Sequence, residues 1–131
     1  MGLALASLVH SMSRDPRKLR VFGQADALII AVYRVTAAFP ADERYVLQAQ
    51  IRRAAISAAT NIVEGCARRT TREYVQFLNV ANGSTAEARY LVNVAHRLGF
   101  VSATVENELV GRYTELTKGL QRLIVSLDNE P

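Results

Sequence analysis

The chain is poor in the residues that stabilise or interrupt small folds by special means. Among its 131 residues there are one cysteine, three prolines and no tryptophan. The single cysteine, Cys66, excludes an internal disulfide and is typical of a reducing compartment. No segment approaches the run of about 18 apolar residues that a membrane span requires. We therefore expect a cytoplasmic protein of one domain that does not enter a membrane.

Residue types for catalysis are also scarce. The chain has two histidines, and no glutamate of its middle part has a histidine three positions later, as a di-iron bundle would require. There is no phosphate-binding glycine loop followed by lysine and no nucleophile elbow. Cys66 lies near a helix start that favours a thiolate, but without an evident base it is better interpreted as a bystander thiol. We expect no enzymatic activity, no metal and no cofactor.

Apolar residues recur at steps of three and four in the first half of the chain, which is the pattern of one helix face. The first such segment, 22–39, ends before Pro40, because proline disfavours helical geometry in the residue before it. Asp42 and Glu43 then place negative charge where it suits a second helix start. Gly65 is a natural end for that second helix. The pattern predicts two helices joined by a short connection.

Two further helices follow. Thr70 and Glu73 have the spacing of a capping box, and the third helix ends at Gly99. The fourth helix covers about 102–127 with near-heptad spacing, which suits shallow-angle packing. Short connections predict an all-α, antiparallel up-down-up-down four-helix bundle. The expected division is a flexible N-terminal extension (1–21), the bundle domain (22–127) and a C-terminal tail (128–131).

Small residues predict a close crossing between the second and third helices. A hairpin through 66–70 would place Ala54 and Ala55 near Gly83 and Ser84. Glycine in the middle of a helix costs about 1 kcal/mol relative to alanine. We therefore expect close backbone packing at Gly83 to offset that cost.

Polar residues accompany this crossing. Ser57, Asn61 and Glu64 line up at helical spacing on the second helix, and Glu87 falls where Arg52 is expected. The stripe has two interpretations, a ligand-binding site or a hydrogen-bond network that fixes the helix register, and the second is the more frequent use of such residues. Glu64 is expected at the positive start of the third helix. The predicted structural polar network is Ser57, Asn61, Glu64, Gly83, Ser84 and Glu87.

The charge is distributed unevenly along the chain. The net charge is +4, and fourteen of the sixteen basic residues are arginine, whose planar fork suits phosphate. Residues 44–97 are basic overall, whereas 98–131 are acidic overall. A basic cluster can neutralise nucleic-acid phosphates or be a solvated face with some arginines paired internally, and the two interpretations are evenly matched. Tyr45 and Tyr90 can stack on bases or pack in the fold. The candidate nucleic-acid-binding residues are Arg52, Arg53, Arg68, Arg69, Arg72, Arg89 and Arg97.

Some apolar residues lie off the main helix stripes. If the apolar band is wider than the core of one bundle requires, it indicates either a second partner surface or a broad core face. We favour self-association. The residues concerned are Ile56, Val63, Val110, Ile124 and Val125.

Several strings of residues together resemble a known family. They are Gln50-x-Arg52-Arg53-Ala54-Ala55-x-Ser57, Asn61-Ile62-x-Glu64-Gly65, Phe77-Leu78-x-x-Ala81-x-Gly83-Ser84-x-x-Glu87 and Leu98-Gly99-Phe100. They resemble the four helix bundle proteins named for the 23S rRNA intervening sequence, over roughly 22–127. That family includes the accessory variability determinant proteins of diversity-generating retroelements.

The resemblance implies an up-down four-helix bundle that assembles as a ring-like homopentamer without known enzymatic activity. It also implies a connection to nucleic acid and, for the retroelement relatives, association with a reverse transcriptase. Our first hypothesis is a non-enzymatic homo-oligomer that binds RNA or DNA through arginine–phosphate contacts, as an accessory factor. The alternative is a protein–protein interaction scaffold that does not bind nucleic acid.

Overall fold

Four helices make up the fold. The computed structural model describes residues 14–129, and all regular structure in that range is helical. Short 3-10 turns at Pro16–Lys18 and Ala41–Glu43 precede the first and second helices. No helix within 14–129 is long and apolar enough to cross a membrane. The all-α prediction with four helices is confirmed, and the helices are α1 (Arg20–Thr36), α2 (Leu47–Cys66), α3 (Thr71–Arg97) and α4 (Ala103–Asp128).

The helices surround one apolar core. α2 packs on α3, α3 on α4, and α1 on both α2 and α4, whereas the diagonal pairs make no close contact within the described range. The interior is filled by large side chains that water hardly reaches. Burying each of them fully contributes about 1.5–3 kcal/mol. The most buried include Leu28, Ile62, Leu78, Tyr113 and Leu116.

The ends of α3 follow the sequence prediction. The Thr70 hydroxyl accepts from the Glu73 amide (3.1 Å) and donates to the Glu73 carboxylate (3.0 Å). After the helix, Gly99 adopts a φ of +82°, the left-handed conformation that favours glycine. The Phe100 amide then bonds back to the Ala95 carbonyl at 2.9 Å. These contacts fix where the longest helix begins and ends.

The folded domain begins earlier than the sequence predicted. α1 begins at Arg20, and Val21, expected in a flexible extension, is buried in the core. Asp15 caps the turn at Pro16–Lys18 by accepting from the Arg17 amide. Arg14 contacts the α2–α3 connection. Only 1–13 of the predicted extension, and 130–131 of the predicted tail, lie outside the described residues.

The first connection also differs from the prediction. α1 ends at Thr36, and Phe39 packs with its ring centroid 5.5 Å from that of Phe100. Glu43 does not begin α2 but belongs to the 3-10 turn, and its carboxylate accepts from the Leu47 amide at 3.3 Å. Its negative charge therefore serves the start of α2 from outside the helix.

The close approach of α2 and α3 occurs at a different glycine from the one predicted. A Cβ built on Gly83 would meet no atom within 4 Å, so the prediction of close backbone packing there is wrong. A Cβ on Gly65 would instead lie 3.0 Å from both Phe77 Cβ and Tyr74 Cδ1. The predicted register was wrong, because Ser84 faces Ser57 rather than Ala54 and Ala55. Buried alanines complete this interface, among them Ala54, Ala55, Ala58, Ala59, Ala81 and Ala88.

We expect Gly65→Ala to lower the free energy of unfolding by about 1–2 kcal/mol, because the added methyl would be crowded at 3.0 Å by Phe77 Cβ and Tyr74 Cδ1, and Phe77 Cβ cannot move without its backbone. Gly83→Ala is the matched control. It should raise stability by about 0.5–1 kcal/mol, because the methyl meets no atom of the chain and alanine favours helix. Urea denaturation followed by circular dichroism measures both. Equal effects of the two substitutions would contradict the assignment of the close contact to Gly65.

Candidate nucleic-acid interface

Two basic segments meet at one end of the bundle. The segment before α1 packs beside the connection between α2 and α3, and Arg14 joins them. Its guanidinium donates to the Arg68 carbonyl (3.3 Å) and to the Thr71 hydroxyl (2.8 Å). It also lies 4.8 Å from the centroid of the Tyr74 ring. We call this surface the basic end, and its members are Arg14, Arg17, Lys18, Arg20, Arg68, Arg69 and Arg72.

The arginines of the α2–α3 connection differ in how they are held. Arg68 lies over the Phe77 ring, 4.3 Å from its centroid, a cation–π contact that limits its movement. Arg69 and Arg72 are exposed, and neither has an ion-pair partner among residues 14–129. Their guanidinium groups are therefore accessible to a phosphate.

Two acidic groups at this end have local partners, whereas Glu64, in the last turn of α2, is exposed and has no ion pair among residues 14–129. Arg17 forms an ion pair with Asp15 at 2.9 Å, and these hydrogen bonds lower the pKa of the Asp15 carboxyl. Glu73 is engaged with the Thr70 cap. Asp15, Glu64 and Glu73 offset three of the seven cations, so the basic end keeps an excess of positive charge.

Arg52 does not belong to the candidate surface. It donates to the Thr36 hydroxyl at 2.9 Å and to the Tyr33 carbonyl at 3.3 Å, and it lies over the Tyr33 ring. Gln48 also bonds to α1, donating to the Thr36 carbonyl at 2.7 Å. The predicted contact of Arg52 with Glu87 is therefore wrong. Arg52 connects α2 to the end of α1, where the freed carbonyls of a helix terminus attract donors.

The other predicted arginines lie away from the basic end. Arg97, in the last turn of α3, donates to Asn93 at 3.0 Å. Arg89 is half-buried beside a cleft between α3 and α4, and Arg53 is exposed on α2. The structure thus brings together Arg68, Arg69 and Arg72, and separates the remaining four from them.

Half of the predicted polar network forms. The Ser57 and Ser84 hydroxyls lie 2.8 Å apart, across the α2–α3 interface. The Asn61 amide donates to the Ser57 carbonyl (2.8 Å) and hydroxyl (3.1 Å), which ties Asn61 to the Ser57–Ser84 contact. Glu64, Gly83 and Glu87 are exposed and take no part in it. The network is neutral and links two helices, which fits register fixing better than catalysis.

Cys66 lies in the core rather than in a reactive position. Its Sγ is 3.9 Å from the Tyr74 hydroxyl. Burial raises the pKa of the Cys66 thiol, which corrects the expectation that the nearby helix start favours a thiolate. Within residues 14–129, no group of three or more histidine, cysteine, aspartate or glutamate side chains is placed to hold a metal ion.

The segment before α1 is the part of the site that the sequence reasoning missed. Its charges are visible in the run Arg14-Asp-Pro-Arg-Lys-Leu-Arg20, which lies within the predicted flexible extension, 1–21. The available signal was Asp15 before Pro16, a good start for a helical turn. Nothing in the sequence shows that this turn packs beside the α2–α3 connection.

Comparisons with known proteins agree with this fold. The model of the 23S rRNA-intervening sequence protein family matches residues 17–122. A crystal structure of a protein of unknown function from the S23 ribosomal protein family of Bacteroides thetaiotaomicron is similar, with a TM-score of 0.74 and 19% identity. The match covers 79% of this chain and 94% of that one. No curated protein matches the sequence.

We expect stability to fall as the pH rises above about 9. Burial raises the pKa of Cys66, Tyr74 and Tyr113 from ordinary values of 9.0 for the thiol and 10.0 for the phenols. Above those values the unfolded chain releases protons that the folded chain retains. The free energy of unfolding is therefore at its full value below about pH 9 and declines above it. Urea denaturation at pH 8 and pH 10.5 measures the decline.

Tyr113→Phe is the control for this prediction. It removes one of the three groups, and its hydroxyl has no hydrogen-bond partner among the described residues. The decline should become shallower in this variant. Equal stability of the unmodified protein at the two pH values would show that the three groups are not held neutral by the fold.

Proposed function

The chain belongs to the 23S rRNA-intervening sequence protein family, and we propose that it is a non-enzymatic, homo-oligomeric nucleic-acid-binding protein. The helices run up-down-up-down, and the basic end of each copy contacts phosphates of RNA or DNA. The protein acts in the cytoplasm as an accessory factor. Association with a reverse transcriptase, which the resemblance implies, stays a prediction.

One observation carries this proposal: two segments distant in sequence bring their cations to one end of the bundle. Arg14 fixes the two segments relative to each other through Arg68 and Thr71. Arg69 and Arg72 are exposed beside them. A fixed cluster of guanidinium forks suits the repeated phosphates of a nucleic-acid backbone. Contacts of this kind fix position without reading sequence.

Exposed apolar side chains support self-association. Ile56 and Val63, two turns apart on α2, are 37% and 41% exposed, and Val125 on α4 is 57% exposed. Val110 and Ile124, expected on the same kind of surface, instead pack partly against the core. We therefore assign Ile56 and Val63, which we call the α2 strip, to the contact between copies, in a ring of five as the resemblance implies.

The first test substitutes exposed arginines of the basic end. We expect Arg69→Gln/Arg72→Gln to weaken binding of a short RNA about tenfold to thirtyfold, for two lost contacts of roughly 1 kcal/mol each. The slope of log affinity against log salt should become shallower by about 1.4–1.8, because each phosphate contact contributes about 0.7–0.9. Fluorescence anisotropy between about 50 and 200 mM salt measures both quantities.

The matched control is Arg34→Gln/Arg44→Gln. It removes the same charge from two exposed arginines, one in the last turn of α1 and one in the α1–α2 connection. Its affinity and salt slope should stay close to those of the unmodified protein. Binding that is absent at low salt, or equal losses in both variants, would refute the proposal. In the first case, the protein–protein scaffold would be the better description.

The second test concerns assembly. We expect Ile56→Glu/Val63→Glu to reduce the particle to a monomer in light scattering, because charge on the α2 strip opposes its burial. Tyr45→Glu is the control, since Tyr45 is 85% exposed in the α1–α2 connection. It should leave the mass unchanged. A monomeric unmodified protein would contradict self-association. If Ile56→Glu/Val63→Glu keeps the full mass, the interface does not include these two residues.

A further inference from the structure

A second feature of α3 lies beyond the basic end. A surface cleft of about 490 Å³ opens between α3 and α4, within the range of about 300–1,000 Å³ that is usual for small-molecule sites. Ala86 and Val110 give it apolar walls, and the Tyr90 ring stands at it with 61% of its surface exposed. An isolated exposed aromatic residue is ordinary on a protein surface. Here the ring borders a cleft that also offers polar groups.

The polar groups at the cleft are held in place. The Asn93 amide donates to Glu106 at 2.9 Å, and its oxygen accepts from Arg97 at 3.0 Å. Glu106 also has its other oxygen 3.9 Å from the His96 ring. Arg89 lines the same cleft. Because these side chains are already held in place, the protein loses less conformational entropy when a ligand binds.

Tyr90 and Arg72 lie on the same face of α3. They are 18 residues apart, which is five full turns, so they share a direction and are about 27 Å apart along the axis. A strand stacked as in B-form DNA, at 3.4 Å per nucleotide, covers that distance with about eight nucleotides, and a more extended single strand needs fewer. The residues between them on this face are all exposed, and Gly83 leaves the middle without a side chain. They are Gln76, Asn79, Gly83 and Ala86.

We propose that this face of α3 is a track for single-stranded nucleic acid, and that one base stacks on Tyr90 in the cleft. The strand enters at the basic end, passes over Gly83 and reaches the ring, where Arg89 meets a phosphate and Glu106 accepts from a base amino group. A paired duplex keeps its bases inside the helix, so the cleft favours single strands. This inference rests on the proposed nucleic-acid binding.

The test compares a 12-nucleotide single-stranded RNA with a strand of the same length whose bases are absent. We expect Tyr90→Ala to weaken binding of the RNA about 5- to 150-fold, the effect of losing one base–aromatic stack. Its affinity for the abasic strand should not change. Tyr90→Phe keeps the ring and should keep the affinity, and Tyr45→Ala is the control for an exposed tyrosine elsewhere.

The outcomes separate this inference from the proposed function. If the RNA binds and Arg69→Gln/Arg72→Gln weakens both strands, but Tyr90→Ala weakens neither or both equally, the stacking site is refuted and phosphate binding stands. A Tyr90→Phe variant as weak as Tyr90→Ala also refutes stacking. Absence of binding by the unmodified protein at low salt refutes both proposals.

Discussion

The close contact between α2 and α3 is the constraint on which the rest of the structure depends. A Cβ at Gly65 would be crowded at 3.0 Å by Phe77 and Tyr74, and buried alanines extend the contact along both helices. The connection between these helices comprises residues 67–70, and the close contact at Gly65 lies directly before it. The position of Tyr74 in turn determines where Arg14 lies, since Arg14 contacts its ring. Helix packing therefore positions the cations of the basic end.

The same helix joins the two parts of the proposed binding surface. α3 begins at the basic end, and its exposed face continues to Tyr90 and the cleft. A rigid helix keeps the spacing between phosphate contacts and a stacking ring constant, which reduces the entropy lost when a flexible strand binds. Charge and stacking have different roles here. In the proposed complex, the arginines would supply affinity that depends on salt, and the tyrosine would supply contact with a base.

Sequence periodicity predicted the elements of the fold better than their contacts. The Thr70 cap, the end of α3 at Gly99 and the pairing of Ser57 with Asn61 all depend on local spacing, which the sequence shows directly. The role of Gly83 and the partner of Arg52 depend on the register between helices, which periodicity leaves free. A shift of one turn changes which side chain faces which. The same limit explains Arg14, because a long side chain finds its partner only after the helices have packed.

The most direct measurement is ultraviolet cross-linking of the purified protein to a photoreactive single-stranded RNA, with the attached peptides identified by mass spectrometry. The central claim is that one end of the bundle, made by the segment before α1 and the α2–α3 connection, is the nucleic-acid surface. We predict cross-links in residues 14–20 and 68–74, with a second group around Tyr90 where a base is proposed to stack, and their loss at high salt. Cross-links confined to 34–46, around the opposite end of the bundle, would contradict the account.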